Sequence, residues 1–446
     1  MPYRKILAYK KFFLWYDNNC ENDICDICRL NEVQLTEGTM KPIEKYANLL
    51  VRVGINIQQN QTLIITSPIE TADFTRLLSV KAYEAGAREV VIRWIDEKSM
   101  RIKYDMANDE IFDEAPAWMT SFFNDYAGID AAFLSISASD PEIMKGVDPK
   151  RISRANKASS IALASYRARM MSNQNVWCVA SIPTLAWAKK VFPNVSDDAA
   201  MDNLWDAIFK AVRVDQEDPV AAWQIHQQDL NRRLNFLNQA NFKALRYKNS
   251  LGTDCLIPLA KDHVWYGGGD AAPQGHIFFA NMPTEEVFTM PDRLGATGRI
   301  CSSIPLNYNG NLIEEFWFEF KEGLVVDFGA SSGIEVLKEL LDTDEGAKRL
   351  GEVALVPYDS PISNQKILFF NTLYDENASC HFAIGKAYPV NVKGGTKMSV
   401  DELKAAGAND SLTHVDFMVG TSDLEIIGIH FDGSEVPVFA HGNFAI

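Results

Sequence analysis

Histidine is scarce in this chain, with seven residues in 446. Long apolar runs are missing as well. A spanning helix needs roughly eighteen or more uncharged apolar residues, whereas the best run, Val176 to Ala188, is shorter and contains Pro183. The start, Met1-Pro2-Tyr3-Arg4-Lys5, has no signal-peptide core, because Lys10 and Lys11 interrupt it. Cytoplasmic location is the expectation. Basic residues are outnumbered too: Lys+Arg 43 against Asp+Glu 59 gives a net charge of −16. Nucleic acid and anionic membrane faces both require cationic partners, so neither is expected to bind. Several catalytic signatures are absent. Gly267-Gly268-Gly269 lacks the Lys-Ser/Thr of a phosphate loop, no G-x-G-x-x-G joins the first strand to its helix, and no G-x-S-x-G elbow occurs.

Cysteines number seven, an odd count. Cys178, Cys255, Cys301 and Cys380 lie far apart in apolar contexts and read as reduced, buried thiols. Cys20, Cys25 and Cys28 form C-x4-C-x2-C in an acidic stretch, with no fourth ligand nearby to complete a zinc site. Papain-like chemistry is disfavoured, since the adjacent Cys380 and His381 point apart in a strand or helix.

The length predicts roughly two or three domains, and an apolar fraction of 47% supplies a large core. Residues 1–39 match nothing that follows and read as an extension, with Met40 as the candidate true start. From Met40 an amphipathic helix runs through Ile43 to Val53. Strand Thr62–Thr66, helix Asp73–Ala85 stopped by Gly86, and strand Glu89–Trp94 make a βαβ unit, which implies parallel strands. Further strands are expected at Ala131–Ser137 and Val176–Ala180, and helices at Pro149–Ala164 and Ala199–Val214. Residues 40–235 therefore read as an α/β domain. Residues 236–446 read as an antiparallel-rich α+β domain. Its strands are Phe242–Leu259, Val264–Tyr266, Gly298–Leu306, Leu312–Lys321, Leu324–Phe328 and Asp423–Asp432, with a hairpin turn at Glu322-Gly323 and a helix at Gly333–Asp342.

Two of the few histidines stand in polar-crowded stretches of that second domain. They are Asp375-Glu376-Asn377-Ala378-Ser379-Cys380-His381 and Ser411-Leu412-Thr413-His414-Val415-Asp416. In a strand, residues i and i+2 share a face, so His414 and Asp416 project together with Val415 and Phe417 behind them. Imidazole and carboxylate suit a catalytic divalent metal. Taken alone, the same residues read more readily as the surface of a strand end. Two further acidic segments bear on the choice. Glu285-Glu286 lies just inside the second domain and alone reads as a solvated loop. Glu352 is the one acid in the apolar run Gly351 to Pro357, where an unpaired charge costs too much unless a cation, a donor network or an outward position relieves it.

Asn281–Phe288, Gly351–Pro357, Asn371–Pro389 and Ser411–Gly420, together with Tyr46–Ile57, resemble the aminopeptidase T/aminopeptidase S family of metallo-aminopeptidases. The resemblance covers Met40 to Ile446. It implies two divalent metals held by Glu286, Glu352, His381, His414 and Asp416, with Tyr388 at the site. It also implies a two-domain homodimer, whose N-terminal domain shapes access and dimerises. The adjacent acids leave open which of Glu285 and Glu286 is the ligand. Glu285, if not a ligand, is the candidate to carry the water proton to the leaving amine, or else to orient a ligand histidine. Oxygen-rich ligation without thiolate argues against a structural zinc site and leaves Zn, Co, Mn and Mg open. The expected activity is removal of N-terminal residues from peptides with a free N-terminus. The competing readings are an amidase or deacylase acting on non-peptide amides, and a catalytically dead metal- or peptide-binding module.

Overall fold

β-branched and aromatic residues build the first sheet, as their preference for pleated, half-buried surfaces requires. The computed structural model describes residues 40–446. Residues 1–39, with the cysteine triplet and the proposed extension, lie outside them. Thr62–Pro68, Glu89–Ile95, Ala132–Ile136 and Trp177–Ala180 form a parallel sheet, with Thr62–Pro68 between Glu89–Ile95 and Ala132–Ile136. Helices Ala72–Glu84, Glu97–Met106, Ala117–Gly128, Pro149–Ala162 and Ala164–Met171 alternate with these strands, and Leu185–Val191 and Asp197–Ala211 follow. The fifth strand comes from far along the chain: Asn281–Met282 adds in parallel beside Trp177–Ala180. The core of this region includes Leu63, Ile65, Leu134, Cys178, Trp187 and Met282.

The second half is antiparallel, as expected. An eight-stranded sheet runs from Leu324–Gly329 through Ala244–Lys248 to Asn443–Phe444. Its Trp317–Lys321 and Leu324–Gly329 strands turn at Glu322 (φ 50°) and Gly323 (φ 74°). Two consecutive positive φ values make the mirror-image turn that matches strand twist. A five-stranded sheet has the order His414–Met418, His381–Gly385, Leu350–Leu355, Val287–Thr289, Tyr266–Gly267. The fold is thus α/β followed by antiparallel-rich α+β.

The helix Pro219–Ala240 has no counterpart in the sequence reading and runs across position 235, where the domain boundary was drawn. Asp218 caps its N-terminus through Val220 N and Ala221 N, Pro219 occupies its first turn, and Trp223, His226, Leu230, Leu234 and Leu237 are its buried stripe. Pro42–Ile446 packs as one compact unit. Among the described residues no helix is long and apolar enough to cross a membrane.

Candidate metal centre

Strand alternation and register assemble the centre. Across the five-stranded sheet, Glu352 lies opposite Ala383 and Ala383 opposite Asp416; Ala354 lies opposite His381, and Gly385 opposite His414. Glu352, His381, His414 and Asp416 therefore share one face. Val353, Leu355, Phe382, Ile384, Val415 and Phe417 point the other way, into the core of the second half. A register shift between Leu350 and Glu352 leaves Gly351 unpaired. A Cβ at Gly351 would lie 2.4 Å from Gly385 O, so only glycine allows the bulge that phases Glu352 onto the face. Glu286 enters from the neighbouring strand, where Phe288 opposite Ala354 fixes the phase.

His381 Nε2 is 3.0 Å from Glu286 Oε2 and 3.7 Å from Glu352 Oε1. His414 Nε2 is 3.6 Å from Glu352 Oε2 and 3.5 Å from Asp416 Oδ1. Glu286, Glu352 and His381 form one metal-capable group, and Glu352, His414 and Asp416 form another; each has its donor atoms within 4.8 Å of one another. Both imidazoles are oriented by carbonyls. His381 Nδ1 donates to Glu376 O and Ser379 O at 3.0 Å, and His414 Nδ1 donates to Lys386 O at 2.7 Å. A neutral ring with its proton on Nδ1 turns the Nε2 lone pair toward the carboxylates. Lone pair would then face lone pair, and the buried Glu286 Oε2 has no hydrogen-bond donor. A cation between them, or a proton on Nε2, relieves that opposition.

The electrostatics agree. Burial pushes Glu352 up to about 7, against the histidines beside it and with the Asp416 and Glu286 charges added. Burial and the charges of Asp416 and Glu286 hold Glu376 well above the carboxylate range. Burial alone would lower both histidines, but Glu286 and Glu352 carry His381 well upward, and Asp416 and Glu352 carry His414 up to about 9. These directions bring protons onto Glu352, His381 and His414, where the carboxylates and imidazoles crowd together. Burial would raise Asp416, yet His414 holds it below its ordinary value.

Two residues need separate treatment. Tyr388 is 5.0 Å ring to ring from His414 and lines the same cavity. Burial and the Glu352 charge raise its hydroxyl well above 10, so it keeps its proton at neutral pH. Glu285 does not face the cavity, which corrects the expectation that it carries a proton there. As the neighbour of Glu286 it points to the opposite side, where Arg213 spans it with Nη1–Oε1 at 2.7 Å and Nη2–Oε2 at 3.0 Å. His226 donates from Nε2 to Thr284 O at 2.7 Å and accepts from Arg213 at Nδ1, so its ring is neutral and its 3.7 Å approach to Glu285 is no ion pair. Asn377 Oδ1 also accepts from Glu285 N at 2.8 Å. This network fixes the backbone that presents Glu286.

Glu376 escaped the sequence reading. It ends the short helix Thr372–Glu376, is 7% exposed and lines the cavity with the predicted ligands. The signal was a polar stretch five residues ahead of His381, but only the structure separates Glu376 from Asp375. Both Asp375 oxygens accept backbone N–H groups, from Phe369 at 2.9 Å and Asn371 at 3.0 Å.

With this geometry in hand, comparison with known proteins is decisive. The family model described as thermophilic metalloprotease (M29) matches residues 39–444. The chain belongs to this family. The M29 relatives include Aminopeptidase 2 of Geobacillus stearothermophilus, 49% identical over 405 residues that make up 91% of this chain and 98% of the relative. Aminopeptidase AmpS of Bacillus subtilis (strain 168) is 46% identical over 90% of this chain and 98% of its own. The solved structure of wild-type AmpT from Thermus thermophilus superposes with a TM-score of 0.84 at 39% identity, covering 91% of this chain and 99% of that one. The M29 chain is accordingly a metallo-aminopeptidase, a hydrolase that depends on divalent metal.

Proposed function

We propose that this enzyme removes N-terminal residues from peptides at a dinuclear site built by Glu286, Glu352, His381, His414 and Asp416. The observation that carries the proposal is Glu352, whose two oxygens face different histidines and which belongs to both metal-capable groups. Two divalent ions held by these residues would supply a nucleophile by lowering the pKa of bound water and would polarise the scissile carbonyl. The remaining work falls to the chain itself. Glu286, Glu352 and Asp416 supply three carboxylates to the two metal-capable groups, and Glu376 lines the same cavity. The Tyr388 hydroxyl, kept protonated, donates to the oxygen that gains charge as the carbonyl is attacked. Glu285, with Arg213, His226 and Asn377, holds the Glu286 segment in register. We further propose that the enzyme is a cytoplasmic homodimer, with the 40–235 region shaping access to the metals.

Metal content of purified protein tests the site directly. About two ions per chain are expected, and none after reconstitution with Zn, Co, Mn or Mg would refute the reading. A panel of aminoacyl-amides with free or acylated amines separates exopeptidase from amidase. Cleavage requires the free amine here; equal cleavage of acylated substrates would establish the amidase or deacylase. Light scattering reads the mass expected of a dimer.

A further inference from the structure

The cavity beside the candidate metal ligands contains two acids, Asp270 and Glu376, that stand outside both metal-capable groups. Its lining carries Asp270, Glu286, Glu352, Glu376 and Asp416, and neither lysine nor arginine. Of the two outside the metal-capable groups, Glu376 Oε1 accepts from two amides, Asn281 Nδ2 and Asn377 Nδ2, each at 3.4 Å, whereas Asp270 has one. Asp270 Oδ1 accepts from Asn173 Nδ2 at 2.8 Å, a neutral donor, and no cation lies within ion-pairing distance of it among the described residues. Burial, against that hydrogen bond and with the Glu286 charge added, pushes its carboxyl up to about 6. A half-buried carboxylate held by one amide is costly until a cation joins it.

The backbone is built to place it there. Gly267, Gly268 and Gly269 all have positive φ (141°, 67° and 100°). A Cβ at Gly267 would lie 2.6 Å from Glu286 O, and one at Gly269 would lie 2.6 Å from Ile277 Cγ2. Side chains would force this turn away from the Glu286 strand; glycine lets it run alongside and end on Asp270. Asn173, itself at φ 53°, reaches the acid from the end of the helix Ala164–Met171.

The cleft has a counterpart of opposite character. A second cavity of about 370 Å³ shares the wall formed by Trp177, Tyr388 and His414. Among the residues lining it are Arg167 and Lys386, the latter paired with Asp410 at 2.8 Å, and no carboxylate. Acid stands on one side of the candidate metals and base on the other. A peptide chain has the same polarity, with an ammonium at its start and a carboxylate at its end.

Resting on the aminopeptidase reading above, we propose that Asp270 receives the substrate's α-ammonium, with Asn173 orienting its carboxylate, and so registers the first peptide bond at the metals. The α-ammonium is the one cation that every substrate of such an enzyme brings, whatever its side chain. The leaving chain then extends into the Arg167–Lys386 cavity.

The test uses metal-loaded enzyme and the p-nitroanilides of leucine, phenylalanine and lysine. Asp270→Asn is expected to lower kcat/KM by about 10- to 100-fold, to a similar extent on all three and chiefly through KM, since one charge-assisted hydrogen bond is lost. Its inhibition constant for L-leucinol should rise in parallel, while that for the des-amino analogue 4-methylpentan-1-ol stays put. Unchanged KM on all three substrates overturns the proposal, and so does a loss confined to the lysine substrate, which would make Asp270 a side-chain reader. Should Asp270→Asn fail to fold or to hold metal, Asn173→Ala carries the test, with a several-fold rise in KM expected on every substrate and an unchanged KM overturning the assignment. A parent enzyme inactive on all free-amine substrates would instead remove the aminopeptidase reading itself.

Discussion

The strands Leu350–Leu355, His381–Gly385 and His414–Met418 have two faces that share a backbone and little else. One face is hydrocarbon: Val353, Leu355, Phe382, Ile384, Val415 and Phe417 pack with Tyr247 and Phe318, the Tyr247 and Phe382 rings being 4.9 Å apart. The other carries Glu352, His381, His414 and Asp416, donors of the two metal-capable groups, where burial and the Asp416 charge raise Glu352 and the carboxylates raise both histidines. The contrast teaches where the cost of the centre is met. Ligands that destabilise one another can be held within tenths of an ångström only because the next residue along each strand is locked in a dry core.

The comparison can be broken by changing one face at a time. The largest effect is expected of Glu352→Ala. Turnover should fall below detection and metal content should drop, with the far-ultraviolet circular dichroism unchanged. Because burial raises Glu352, the metal-free variant should also unfold no earlier than the metal-free parent. Full activity would remove Glu352 from the site. On the opposite face, Phe382→Ala should cost about 3–5 kcal/mol of stability, measured by denaturant unfolding, while metal stoichiometry below the transition matches the parent. Metal loss without instability would show that the faces are not separable. Tyr388→Phe should leave both fold and metal content intact and lower kcat by about 10²- to 10³-fold; an unchanged kcat would exclude the hydroxyl from the reaction.

Smaller effects sharpen the contrast between the neighbours Glu285 and Glu286. Glu285→Gln weakens the buried pair with Arg213 and should lower stability by about 1–3 kcal/mol, with metal content retained. Glu286→Gln should do the reverse. The smallest effect concerns pH. Burial lowers the pKa of His226, so the folded protein keeps this ring neutral where the unfolded chain, titrating near 6.5, binds a proton. Its contribution is fully present above pH 6.5 and is lost as pH falls toward the folded value. Between pH 7 and 5.5 the parent should lose more stability than His226→Gln, read from melting curves; parallel curves would argue against it.

Much of this was legible before the fold. Val415 and Phe417 sit behind His414 and Asp416 because strand alternation is a local property, and the βαβ order of the first sheet follows from runs such as Leu63-Ile64-Ile65. The choice between Glu285 and Glu286 was not local. It rests on Val287 meeting Leu355 and Phe288 meeting Ala354, a pairing made across more than sixty residues. Glu376 was hidden for the same reason, since its identity depends on where Asp375 spends its oxygens. The helix Pro219–Ala240 was different. Asp218-Pro219 and the spacing of Trp223, His226, Leu230, Leu234 and Leu237 announce it, but polar residues interrupt the apolar stripe, and one of its core positions is a histidine.

Asn281–Met282, the strand lent to the parallel sheet, makes the two halves of the chain mutually dependent. A fragment ending near residue 240 would leave Trp177–Ala180 as an open edge, its N–H and C=O groups free to pair with another molecule. The same short strand lies a few residues before Glu286. The segment that seals the first sheet thus also delivers a candidate ligand to the second, and neither half is a ready-made module for transplantation into another protein.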